Sequence, residues 1–202
     1  MGYIARACAA FDRARMLTRA SSKVVVSDKR DCGATAYASK HGIACVRHPD
    51  PGVDGVGATT TTDLAHALSE RHRVDYVLLA GYMKLVPPEV VKAYPRAMLN
   101  IHPALLPSFG GKGCYGMRVH RAVVDAGVRY TGATVHFVSE VYDEGPILAQ
   151  ACVPVYPDDN PDRVAARVLK QEHELYPEAV AALCDGRVHW REDGVPFVRR
   201  DV

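Results

Sequence analysis

The chain has 202 residues, 48% of them hydrophobic and 24% charged, with 25 Lys and Arg against 23 Asp and Glu for a formal charge of +2. That balance is ordinary for a folded, water-soluble domain and excludes a disordered chain. It also supplies no field for a polyanion, so neither nucleic acid nor a membrane surface is an expected partner.

One domain over residues 1–202 is the expectation from length. No run reaches the roughly 18 apolar residues of a spanning helix. The cysteines, Cys8, Cys32, Cys45, Cys114, Cys152 and Cys184, stand far apart with no C-x-x-C, which indicates neither a disulfide framework nor a zinc ribbon. The first 27 residues carry Arg6, Arg13, Arg15, Arg19 and Lys23 against Asp12 alone, followed by Ser21 and Ser22. A basic amphipathic helix is expected there in preference to a transit peptide.

Short apolar or β-branched runs predict strands at Lys23–Ser27, Ala44–Arg47, Tyr76–Ala80 and Ala97–Ile101. Helix-like stretches alternate with them: Gly33–His41, Thr61–Arg71 and Pro88–Ala93, the last with Pro at its first turn. The alternation reads as βαβ units, and strands so uniformly apolar suit a parallel sheet covered on both faces. The polar Pro49–Thr62 stretch, rich in Gly and Thr, reads as a mobile loop. From Thr131 to Val138 and Ile147 to Val155 the runs are longer and more alternating around a turn with Asp143, Glu144 and Gly145, which predicts antiparallel pairing. A long helix over Pro161–Cys184 and a hairpin around Asp193-Gly194 complete the chain. The fold class expected is α/β, a doubly wound, mostly parallel sheet with an antiparallel C-terminal part.

Ligands of open α/β sheets bind beyond the carboxyl ends of the strands. Asn100 and His102 stand at such an end two residues apart, so both side chains face one side. A histidine can trade a proton near neutrality and an amide can donate to a developing oxyanion, the parts needed for acyl chemistry at a carbonyl. Asp143 is a partner that would fix the imidazole tautomer and favour the imidazolium. His120, His136 and His173 offer the same chemistry, but a packed or solvent-facing role is the default for each. No histidine spacing supports a metal site. Gly110-Gly111-Lys112-Gly113 lacks the Walker spacing and reads as a flexible loop.

The runs Met98 to Phe109 (MLNIHPALLPSF), Thr131 to Val138 (TGATVHFV) and Asp143 to Leu148 (DEGPIL) resemble the phosphoribosylglycinamide formyltransferases, folate-dependent enzymes of purine synthesis. Leu79 to Lys84 and Gln171-Glu172-His173 extend the likeness, and Gly110 to Gly116 with Val119-His120 is similar to the plant branch. The resemblance implies a Rossmann-like formyltransferase fold and transfer of a formyl group from 10-formyltetrahydrofolate, as cosubstrate, to glycinamide ribonucleotide, with no metal and no nicotinamide. By this likeness Asn100, His102 and Asp143 would be catalytic, with Asn100 and His102 holding the oxyanion, His102 donating the proton and Asp143 raising the His102 pKa. Met83, Lys84, Leu85 and Val86, with Asn100 and the turn Ser139, Glu140, Val141, Tyr142 and Asp143, would bind the folate. Glu172 would contact the ribonucleotide.

Two departures from the family pattern stand in the sequence. Its first strand and Gly-Ser-Gly-Ser-Asn phosphate loop have no counterpart before Gly2 to Cys8, so both are expected to be missing, and no arginine stands near Ala58 and Thr59 for the folate tail, a role left to Lys84 or a neighbouring basic residue. The alternatives are a formyltetrahydrofolate hydrolase, a tRNA formyltransferase, and a folate-binding pseudoenzyme without turnover. The extra domains that the first two call for do not fit this length. A homodimer stays open, and the compartment expected is cytoplasm, or plastid stroma in a plant or alga.

Overall fold

Valine-rich runs become strands where β-branched side chains pack against a pleated, half-buried surface. The computed structural model describes residues 21–29, 31–47 and 61–199. The readings made for residues 1–20, for most of the Gly- and Thr-rich stretch and for Ala58 and Thr59 lie outside the described residues, as do the expectations about a first strand and phosphate loop.

Strand β1 (Val24–Ser27) pairs in parallel with β2 (Ala44–Arg47), and α1 (Gly33–Lys40) connects them. Thr35 Oγ1 accepts the Cys32 N–H at 3.0 Å where α1 begins, satisfying a donor the helix itself cannot. The helix predicted over 61–71 is in two parts: α2 (Thr61–His66) runs into a wider π-turn over Ala67–Arg71. Leu64 and Leu68 remain on the buried side through the change.

Strand β3 (Val77–Leu79) pairs in parallel with β4 (Met98–His102) through α3 (Pro88–Ala93), whose Pro88 loses no hydrogen bond at the first turn. Helix α4 (Met117–Asp125) precedes β5 (Tyr130–Phe137), which runs antiparallel to both β4 and β6 (Ile147–Pro154). The change from parallel to antiparallel pairing thus falls at β5. Among the described residues the sheet order is β3-β4-β5-β6, with β1-β2 and the hairpin β7 (Val188–Trp190) and β8 (Pro196–Val198) as separate ladders.

Helix α5 (Pro161–Cys184) is capped by Asn160, whose side chain accepts the Arg163 N–H at 2.9 Å. It contributes Tyr176, Val180 and Leu183 to one core group with Leu99 and Phe137, and Val164 and Val168 to a second with Val119 and Val123 of α4. The third group joins Leu64, Leu68, Val90 and Met98. Met98 and Leu99, adjacent on β4, therefore pack into different groups, as strand alternation requires.

Candidate active site

Sheet topology brings the carboxyl ends of β3 and β4 to one cavity of about 780 Å³, closed by the 138–143 turn, the Gly111 to Gly116 loop and α5. Asn100 and His102 both line it, so the same-side spacing read from the sequence is realised. The Tyr176 hydroxyl, 2.8 Å from the Leu79 carbonyl oxygen and 3.1 Å from that of Leu99, ties α5 to β3 and β4. Glu172 and His173, one turn before Tyr176 on the same helix, also line the cavity.

His102 is 4% exposed. Its Nε2 is 2.9 Å from the Phe109 carbonyl oxygen and its Nδ1 is 3.5 Å from Asp143 Oδ2. Phe109 holds φ at 57°, an unfavourable region for an aromatic residue, and its carbonyl in that conformation meets the ring. Asp143, also left-handed at φ 57°, accepts the Gly111 N–H on Oδ2 at 2.8 Å. A β-carbon at Gly110 would lie 2.4 Å from Leu106 Cδ2 and 3.2 Å from Asp143 Cβ, so glycine lets this loop pack on the carboxylate without displacing the Leu106 side chain. The Gly-Lys-Gly loop is therefore a wall of the site, where the sequence suggested only flexibility.

Behind His102, Thr134 Oγ1 donates to the Ala104 carbonyl at 2.7 Å and accepts the Leu106 N–H at 3.1 Å, while Gln150 Nε2 donates to the Leu106 carbonyl at 3.0 Å. Thr134→Val strands two buried backbone groups, and we expect it to lower stability by about 2 kcal/mol, read by urea unfolding.

Burial sets the protonation of the site. It pulls the His102 pKa below the ordinary histidine value, against an upward pull from Asp143 and the Phe109 carbonyl. The expectation that Asp143 raises it holds for that pull alone, since burial outweighs it. His120, fully buried in α4, is lowered to about 4 by burial and then by His102. Glu172, 9% exposed, is pushed up to about 7 by burial.

Met83, Lys84, Leu85 and Val86 all line the cavity, with Met83 and Leu85 exposed to it as an apolar ligand wall. Lys84 Nζ lies 3.2 Å from Asp28 Oδ2 at the end of β1. Ser139, Val141 and Tyr142 line it with Asp143, but Glu140 does not: its carboxylate is 3.7 Å from Lys92 Nζ of α3, where both are solvated. Glu172 lines the cavity, as does His136, for which a merely packed or solvent-facing place was the default. His136 was missed because only the pairing of β4 with β5 sets it across from Asn100.

A family model described as formyl transferase matches residues 7–180 of this chain. The chain belongs to the formyl transferase family. It is 49% identical over 176 residues to the chloroplastic phosphoribosylglycinamide formyltransferase of Arabidopsis thaliana, covering 87% of this chain and 60% of that protein. It is 35% identical over 171 residues to the phosphoribosylglycinamide formyltransferase of Escherichia coli (strain K12), covering 85% of this chain and 77% of that protein. The crystal structure of glycinamide ribonucleotide transformylase 1 from Symbiobacterium toebii superposes with a TM-score of 0.82 at 36% identity, over 98% of this chain and 89% of that one. The α/β formyl transferase fold expected from the sequence is thus the fold found, and the chain spans about three fifths of the length of the Arabidopsis relative it matches.

Proposed function

We propose that this formyl transferase family member moves a formyl group from 10-formyltetrahydrofolate to the primary amine of glycinamide ribonucleotide. The observation that carries the reading is the convergence of the Asn100 amide, His102 Nδ1 and the Asp143 carboxylate at one end of a cavity with an apolar wall. The plant and bacterial relatives named phosphoribosylglycinamide formyltransferase support the choice of substrates.

The residues present fit a formylated folate. Met83, Leu85 and Val86 offer a flat ring apolar contact, and Lys84 supplies a cation for the carboxylates of its tail. The folate brings the formyl group, and the chain's own side chains manage charge and protons. Because Nε2 faces the Phe109 carbonyl, which only accepts, it carries hydrogen, and Nδ1 is the working nitrogen of His102. Burial keeps the resting ring neutral, so Nδ1 can take the proton released when the amine attacks the formyl carbon. Asp143, 3.5 Å away, steadies the imidazolium so formed, and Nδ1–H then donates to the departing folate nitrogen. The Asn100 amide donates to the oxyanion. Glu172 accepts hydrogen bonds from the ribonucleotide, and the chloroplastic names of plant relatives support a plastid location.

The test is incubation of the chain with 10-formyltetrahydrofolate, with and without glycinamide ribonucleotide, measuring tetrahydrofolate, formylated amine and formate. Tetrahydrofolate release that requires the amine and matches formylated product is expected. Release of formate without the amine replaces the reading with a hydrolase, and no release at all removes it.

A further inference from the structure

His136 of β5 is 2% exposed and lies directly across the ladder from Asn100. The β5–β6 register shifts between Val135 and His136, the kind of irregularity that re-aims a side chain beside a site. Both ring nitrogens are engaged. Nδ1 is 2.9 Å from the Phe137 carbonyl oxygen, and Nε2 is 3.1 Å from Asn100 Nδ2 and 3.7 Å from Asp143 Oδ1.

A carbonyl oxygen only accepts, so Nδ1 carries the hydrogen. In a ring kept neutral by burial, Nε2 is then a bare acceptor, and the Asn100 amide, within hydrogen-bond distance of it where the Asp143 carboxylate is not, must donate. Asn100 can meet that demand only with its amide nitrogen, since the flipped amide would set two acceptors 3.1 Å apart. The amide nitrogen, with its second hydrogen, is thereby held on the side where Asp143 lies. The Phe137 carbonyl that starts this chain is itself fixed. The Phe137 N–H donates to the Pro146 carbonyl at 2.9 Å, and Gly145 packs so close that a β-carbon there would stand 1.7 Å from the Phe137 oxygen.

We propose that His136 is a positioning residue for this site: anchored on the Phe137 carbonyl, it fixes which end of the Asn100 amide faces the reacting group, making Asn100 a donor. The inference rests on the formyl-transfer reading, and it has a readout that does not.

Two variants separate positioning from packing. His136→Phe keeps a ring and removes both polar atoms; His136→Gln restores an oxygen that can accept from Asn100. With both folded by circular dichroism, the Phe variant is expected to lose about 100-fold in kcat, the scale of a misdirected oxyanion donor, with KM for the formylfolate little changed. The Gln variant is expected to recover at least about tenfold of that loss. A Phe variant as active as the parent, or a Gln variant as impaired as Phe, overturns the proposal. Long-range proton–nitrogen correlation spectra of the parent chain test the tautomer without turnover or mutation. A neutral His136 protonated on Nδ1 upholds the inference, and a ring protonated on Nε2 or on both nitrogens refutes it whether or not the chain transfers formyl groups.

Discussion

His102→Ala should lower kcat by about 1,000-fold or more while the formylfolate still binds, because proton transfer by a positioned side chain and the donation that follows both disappear together. The loss is expected in kcat because His102 is buried, whereas the exposed apolar wall of Met83 and Leu85 gives the folate its contact area. The pH profile carries a second signature. A histidine that must be neutral to accept a proton loses activity as pH falls through its pKa. Burial sets that pKa below the ordinary 6.5, so kcat should hold to below pH 6.5 before its acid limb begins. Equilibrium binding of a non-reactive folate analogue, alongside kcat across pH, checks both parts. An alanine variant within about tenfold of the parent would remove His102 from the proton path.

What could be read from the sequence follows the range of the physics involved. The strand Ala44–Arg47 and the helices over Pro88–Ala93 and Pro161–Cys184 were legible because composition, capping and proline placement are local signals, and all three are found with those bounds. Asn100 and His102 could be placed together because strand parity is a property of consecutive residues. His136 could not, since its place opposite Asn100 depends on a register 36 residues away in sequence. The glycine loop was underread for the same reason: Gly111 meets Asp143 across 32 residues. The burial of Glu172 was equally hidden, since a carboxylate among Gln171, His173 and Glu174 looks like part of a solvated helix face, and its burial comes only from the packing of α5.

That burial makes Glu172→Gln a stabilising change whose size depends on pH. Burial raises the Glu172 pKa from 4.5 to about 7, so in that interval the folded chain holds a proton that the unfolded chain has released. By linkage, stability falls as pH rises through the interval, and the full penalty is present above it. A displacement of this size corresponds to about 3 kcal/mol, and glutamine mimics the protonated acid at every pH. The variant should therefore match the parent near pH 4, gain on it through neutrality and exceed it by up to about 3 kcal/mol at pH 8. His102, His120 and His136 work in the opposite sense, since their lowered pKa values weaken the fold as pH drops below 6.5. They do so in both proteins, so the difference between the two urea-unfolding series isolates Glu172. In the formyl-transfer reading the same carboxylate accepts hydrogen bonds from the ribonucleotide, and replacing a charged acceptor should raise the KM for that substrate by about tenfold with kcat nearly unchanged. Stability and substrate affinity would then be opposed at one buried residue. A variant less stable than the parent at pH 8 would mean that the Glu172 carboxylate has a compensating partner in the folded chain.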